Sequence, residues 1–243
     1  MPPRRMRIDD LLVERGIVED RHKASALVMA GRVLIGSQRI DKPGVAVDAA
    51  CDLRVKSDEH PYASRAGRKL EHALTHFQIS VQDRCCLDIG SSTGGFVDCL
   101  LQRGARKVYA VDVGTGLLDW RLQTDPRVVS LNGANARHLQ TSQIPERVDW
   151  ITADVSFISL RAVLPALAAF RAETLALVKP QFELPPGQVP AGGVVTAKEG
   201  RQQAVRSVSA TAAEAGFHIA GTFDSPLAGA AGNVETFVWL RWP

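Results

Sequence analysis

From residue 85 onward the chain alternates short apolar runs with helix-spaced segments, and that rhythm restricts the architecture more than any other feature. CCLDIG, KVYAVDVG, RVVSL, VDWITADVS and TLALVKPQF read as five strands, with GGFVDCLLQRG, GLLDWRLQTD and SLRAVLPALAAF between them at helical spacing. Strands separated by crossover helices pair in parallel, so the pattern predicts an α/β fold with a mostly parallel sheet covered on both faces. KEGRQQAVRSVSATAAEAG adds a helix, and FHIAGTFDS with NVETFVWLRW adds a closing pair of strands. The stretch from Leu184 to Gly193, rich in proline and glycine, reads as a loop near the strand ends.

The N-terminal region has another rhythm. Asp9 and Asp10 precede LLVERG, and Asp20 precedes HKASALVMAG, with Gly16 and Gly31 placed to end two short helices. RVLIG, a turn at Ser37 and Gln38, VAV and CDLRV follow as small strands, which predicts a helix pair over a small sheet. The expected division is an α+β domain over 6–58, a linker over 59–64 and the α/β domain over 65–243.

Of 243 residues, 45% are hydrophobic and 23% charged, the proportions of a globular chain. No apolar run reaches the length of a membrane helix, the start MPPRRMRIDD lacks a signal-peptide core, and four cysteines without a CxxC pair imply no disulfide framework, so a reduced, cytoplasmic protein is expected. The excess of positive charge lies N-terminally, with 14 Lys/Arg against 11 Asp/Glu in residues 1–72 and 15 against 15 thereafter. Arg7, Arg15, Arg21, Lys23 and Arg32 fall on or beside the helix pair, where they could follow a nucleic-acid backbone; a solvated charged face is the plainer reading.

Chemistry concentrates at the ends of the predicted strands. The run Asp88, Ile89, Gly90, Ser91, Ser92, Thr93, Gly94, Gly95, Phe96 leaves a strand and opens a helix, where glycines let backbone approach a nucleotide-like ligand. Its spacing is not GxGxxG, which favours an adenosyl cofactor without a pyrophosphate, and Asp112 ends the next strand where it could take ribose hydroxyls. Asp154 and Lys179 close strands four and five, at the ligand-binding edge. A lysine ending an apolar strand can act as a base when a neighbouring cation and desolvation disfavour its charged form, with Lys69 a candidate neighbour; a helix cap and a snorkelling chain are the plainer readings of Asp154 and Lys179.

Taken together, MRIDDLLVERG, GRVLIG, SRAGRKLEHAL, LDIGSSTGGFVDCLLQRGA, VDVGTGLLDWRLQTDPRV, DVSFISL, LVKPQFE, GGVV and GNVETFVWL resemble the TlyA, or haemolysin A-like, family over nearly the whole chain. The resemblance implies an alpha-L-type RNA-binding domain joined to an FtsJ-like, Rossmann-like class I methyltransferase domain with a seven-stranded sheet. It also implies S-adenosylmethionine as cofactor, no metal, ribosomal RNA or ribosomal subunits as partner, and transfer to the ribose 2'-hydroxyl. Lys69, Asp154, Lys179 and Glu235 become a Lys-Asp-Lys-Glu catalytic set, with Lys179 the base, and Arg65 and Arg68 of SRAGRKL join the RNA-binding residues. Asn135 becomes a candidate for the adenine end of the cofactor, although Asn132 stands where the family usually has an acidic residue. The chain stops at Pro243 without the tail of some relatives, resembling the shorter subtype associated with large-subunit rRNA alone.

Three alternatives stay open. An RNA-binding ribosome-assembly factor with a weak or inactive cofactor domain would keep the fold without the turnover. A haemolysin would need a membrane-active segment, and a dehydrogenase would answer to NAD rather than S-adenosylmethionine.

Overall fold

The computed structural model describes residues 4–29, 31–55, 61–229 and 231–243. They divide into two compact units, Met1–Glu59 and His60–Pro243.

The first unit holds β1 (Arg5–Arg7), α1 (Ile8–Glu14), α2 (Arg21–Met29), β2 (Val33–Ile35), β3 (Gln38–Ile40), β4 (Ala46–Asp48) and β5 (Leu53–Val55). Asp9 and Asp10 sit in the first turn of α1, where carboxylates favour the helix dipole, and the Asp20 side chain accepts from the Lys23 amide at 2.8 Å to start α2. Ile8, Leu11, Leu12, Ala24, Leu27 and Val28 bury one face of each helix against Val33 and Val47. Instead of one small sheet there are two, β1 with β4 and the order β3-β2-β5, because Met6 and its neighbours form a strand that no run of apolar residues announced. The β2–β3 turn also differs from expectation: Gly36, at φ +59°, and Ser37 make it, and Gln38 already pairs with Ile35.

The second unit contains α3 (Ala66–His76), β6 (Cys85–Ile89), α4 (Gly95–Gln102), β7 (Lys107–Asp112), α5 (Trp120–Gln123), β8 (Val128–Asn132), β9 (Trp150–Ala153), α6 (Leu164–Ala168), β10 (Glu173–Val178), α7 (Pro180–Glu183), α8 (Lys198–Glu214), β11 (His218–Asp224) and β12 (Thr236–Arg241). Its strands form one sheet in the order β11-β12-β10-β9-β6-β7-β8, parallel except for β12. This is the expected Rossmann-like sheet, whose order turns back on itself beside β6 and places ligands at the carboxyl edge there.

Strand alternation divides the core. Leu87, Ile89, Val111, Ile151 and Val178 face the side covered by α6 and α8, while Cys86, Val108, Ala110, Trp150 and Leu177 face α3 and α4. Tyr62 is buried with the second group, so this part of the expected linker packs in the second unit's core; residues 59 and 60 lie outside the described residues.

Two expected helices are shorter than their apolar spacing suggested. Asp119 caps α5 by accepting from the Arg121 amide at 3.0 Å, so the Gly116–Leu118 stretch stays outside the helix. Ser159–Phe170 forms a 3-10 turn at Leu160–Ala162 and only then α6, since Pro165 can occupy a first turn but not a helix interior.

Candidate active site

The parallel strands β9 and β10 end at Ala153 and Val178, so Asp154 and Lys179 each follow a strand by one residue. Neighbouring parallel strands end side by side, and Lys179 Nζ lies 2.7 Å from Asp154 Oδ1 while donating to Ser156 Oγ at 2.8 Å. The contact with Asp154 is an ion pair whose alignment falls short of a hydrogen bond. Because β12 runs antiparallel, its first residue, Thr236, pairs with Val178, which brings Glu235 to the same edge. There Lys69, from α3, donates to Glu235 Oε2 at 2.6 Å, with both side chains buried. The sequence-predicted four thus form two lysine–carboxylate pairs.

Close helix packing delivers Lys69. A methyl group on Gly67 would stand 2.6 Å from the Gly95 carbonyl and 2.5 Å from Tyr62, so only glycine lets α3 lie this near the start of α4. Gly94 and Gly95 face Leu122, Ser64 and Gly67, and Phe96 is buried against Phe237, all turned into the protein. Gly90, at φ +81°, is the glycine at the ligand side; a methyl there would come 2.5 Å from the Asp154 carbonyl.

Beside the pairs lies a cavity of about 370 Å³, lined by Gly90, Ser92, Asp112, Asn135, Asp154 and apolar neighbours. Asp88, Ser91, Thr93, Gly94, Gly95 and Phe96 do not line it. Asp112 accepts from the Ser92 amide and the Gly114 amide, each at 2.8 Å, and Asn135 accepts from the Arg137 amide at 3.1 Å. Val113, Leu117 and Phe157 line the cavity and are exposed, three of the six exposed large hydrophobics among the described residues. Such clustering at one opening marks a ligand surface. A wider cavity of about 720 Å³, lined by Arg84, Arg147, Asp149, Arg171 and Glu173, opens at the opposite, amino edge of the sheet, away from both pairs.

Asp88 is fully buried behind the loop. Thr152 donates to its Oδ1 at 2.6 Å, its Oδ2 has no hydrogen-bond partner, and burial pushes its carboxyl up to about 7 against the opposing pull of Thr152. A carboxylate oxygen without a donor, an apolar-mouthed cavity and an aspartate at a strand end suit an adenosyl amino acid.

Three further positions around the site make contacts or exposures that the sequence did not single out. Glu183 is buried and takes the Ser159 hydroxyl, the Leu160 amide at 2.7 Å and Arg161, binding the segment after Asp154 to the helix after Lys179; burial holds its carboxyl above the usual range. Asn233 accepts from the Val195 amide and donates to the Gly193 carbonyl, each at 2.8 Å, so the GGVV and GNVETF motifs meet. Phe157, 89% exposed and at φ +65°, stands at the cavity mouth; only its place in DVSFISL signalled it.

In the first unit, Arg7 makes a paired contact with Asp9 at 2.9 and 2.7 Å, Arg21 reaches Asp9 at 3.2 Å, and the two hold its carboxyl down at about 2. Arg15 donates to the Ala49 and Cys51 carbonyls, and Lys23 pairs with Glu19. The basic residues expected there to meet RNA thus have partners within the chain, the half-buried Arg32 among them. Arg65 and Arg68, in the second unit, are exposed at the start of α3.

Comparison with known proteins follows this division. Residues 62–242 match the FtsJ-like methyltransferase family and residues 6–52 the S4 domain. The chain is 49% identical over 242 residues to the "16S/23S rRNA (cytidine-2'-O)-methyltransferase TlyA" of Mycobacterium tuberculosis, covering 98% of this chain and 90% of that protein. It is 36% identical over 234 residues to "Hemolysin A" of Brachyspira hyodysenteriae, covering 95% and 97%. A solved Streptococcus thermophilus structure that also carries the hemolysin label is 40% identical with a TM-score of 0.73, covering 100% of this chain and 90% of that one. Sheet order, paired lysines and these matches together establish that the chain belongs to the TlyA family of FtsJ-like methyltransferases.

Proposed function

We propose that this chain transfers a methyl group from S-adenosylmethionine to a ribose 2'-hydroxyl of ribosomal RNA. The observation that carries the reading is the Lys179–Asp154 pair, 2.7 Å apart at the carboxyl edge of the sheet and bordering the 370 Å³ cavity. The 49% identical relative is named for cytidine, which makes cytidine riboses the first to test.

Gly90, Ser92, Asp112 and Asn135 line the space for the cofactor, with the unpartnered oxygen of Asp88 behind the loop. When bound, S-adenosylmethionine supplies an electrophilic methyl group on a positively charged sulfur. Lys179 in its neutral form removes the hydroxyl proton as the ribose oxygen becomes nucleophilic. Asp154, against the same nitrogen, stabilises the ammonium that forms, and Ser156 fixes its direction. Lys69 and Glu235 hold α3 against the start of β12 and supply two balanced charges at the floor of the site. The S4-like unit contributes RNA affinity.

Among the described residues no helix is long and apolar enough to cross a membrane. The test is transfer of tritiated methyl from S-adenosylmethionine to unmodified ribosomal subunits and free rRNA, beside Lys179→Ala. Alkali-resistant label in RNA that the variant loses is expected. Cofactor binding with no label in any RNA overturns the reading in favour of a non-catalytic RNA-binding factor.

A further inference from the structure

Six of the fourteen arginines of the second unit are neutralised locally: Arg103 by Glu71, Arg106 by Glu146, Arg121 by Asp119, Arg127 by Asp125, Arg161 by Glu183 and Arg241 by Glu173. Helix α8 carries two arginines outside those pairs, on the same helix as Lys198. Lys198, Arg201 and Arg206 line one groove of about 420 Å³, and none of their side chains has an ion-pair or hydrogen-bond partner among the described residues. Thr222, Asp224 and Thr236 form the opposite wall, with Asp224 already accepting from the Thr236 hydroxyl at 2.6 Å.

The sheet register fixes where this groove opens. Asp224 pairs with Thr236, and Thr236 with Val178, the residue before Lys179. Thr236 also follows Glu235 directly. The groove therefore adjoins the edge that carries both lysine–carboxylate pairs. From Lys198 to Arg206 the helix rises about 12 Å, enough to follow more than one phosphate. None of the exposed large hydrophobics lies in the groove, which offers hydrogen-bond donors and net positive charge rather than a surface for an apolar partner.

We infer that the α8 groove binds the sugar-phosphate backbone of the RNA strand beside the nucleotide being methylated. It is a second RNA surface, separate from the S4-like unit, and it sets how the strand enters the active site. The inference rests on the proposed function, because the target ribose must reach Lys179 for the neighbouring backbone to reach α8.

The test compares the full chain, the variant Lys198→Ala/Arg201→Ala/Arg206→Ala, and the charge-matched control Arg84→Ala/Arg147→Ala/Arg171→Ala from the opposite edge of the sheet. Binding of deproteinised, unmethylated rRNA is measured over a range of KCl, with methyl-transfer kinetics, S-adenosylmethionine affinity and melting temperature alongside. Every phosphate that the protein no longer neutralises lowers the slope of log affinity against log salt by about 0.7–0.9. The groove variant is expected to lose about 2 from that slope and to raise KM for rRNA at least tenfold, with kcat, cofactor affinity and melting temperature kept. An unchanged slope, or an equal loss in the control, overturns the inference. If the unaltered chain transfers no methyl while the groove variant alone loses slope, the groove stands as an RNA surface, and its place beside a methylated nucleotide falls with the proposed function.

Discussion

Lys69 and Glu235 are 166 positions apart in the chain and 2.6 Å apart in space, both beneath the protein surface. Removing one member strands the other charge without water or counterion, which costs about 3–5 kcal/mol. Glu235→Leu should therefore lower stability by that amount in chemical denaturation, and Lys69→Met by a similar one. The double variant Lys69→Met/Glu235→Leu should regain most of the loss, since two apolar side chains leave no orphaned charge, yet it should transfer no methyl group.

Lys179 stands 2.7 Å from Asp154 and donates to Ser156 at the carboxyl edge of the sheet, the place of a base for the ribose hydroxyl. Lys179→Ala should reduce kcat by about 10²–10⁴, with cofactor binding kept. A kcat within a few-fold of the parent's, with chemistry limiting, would refute the lysine as base.

Asp88 predicts a pH dependence of stability. Its carboxyl is pushed up to about 7, so the folded protein keeps a proton that the unfolded chain releases near pH 4. Stability without cofactor should fall as pH rises from about 4 to about 7, by up to about 4 kcal/mol. Asp88→Asn should flatten that fall, melting higher than the parent at pH 8, and should weaken S-adenosylmethionine binding. Calorimetry on both proteins across pH checks the sign.

Phe157 is 89% exposed, so Phe157→Ala should leave the melting temperature nearly unchanged. Stacking of a base on an aromatic ring contributes about 1–3 kcal/mol. If RNA meets the cavity mouth, KM for rRNA should rise about 5- to 150-fold, while S-adenosylmethionine affinity stays within a few-fold. Equal KM values would remove Phe157 from the RNA path.

The sheet was legible because buried parallel strands are apolar runs of fixed length, and the ends of β9 and β10 pointed to Asp154 and Lys179 within one residue. What was hidden depended on packing between distant segments. Gly94 and Gly95 read as ligand-facing, yet a methyl on Gly94 would strike Leu122 and one on Gly95 would strike Ser64 and the start of α3, because a glycine shows that something comes close and not what comes close. Nothing in LVKPQFE announces that Glu183 is buried and takes the Ser159 hydroxyl and the Leu160 amide. The short α5 and α6 show the same limit, since helical spacing cannot reveal that a capping side chain or a proline resets the start. In the first unit, the pairing of Arg7 and Arg21 with Asp9 was invisible to a count of charges.

The inverted strand β12 also orders the life of the molecule in time. Asp154 and Lys179 leave the ribosome early, but the counter-charge of Lys69 arrives only when the chain has been made as far as Glu235 and β12 has slotted in beside β10. Until then a growing chain carries an uncompensated lysine and an unfinished site.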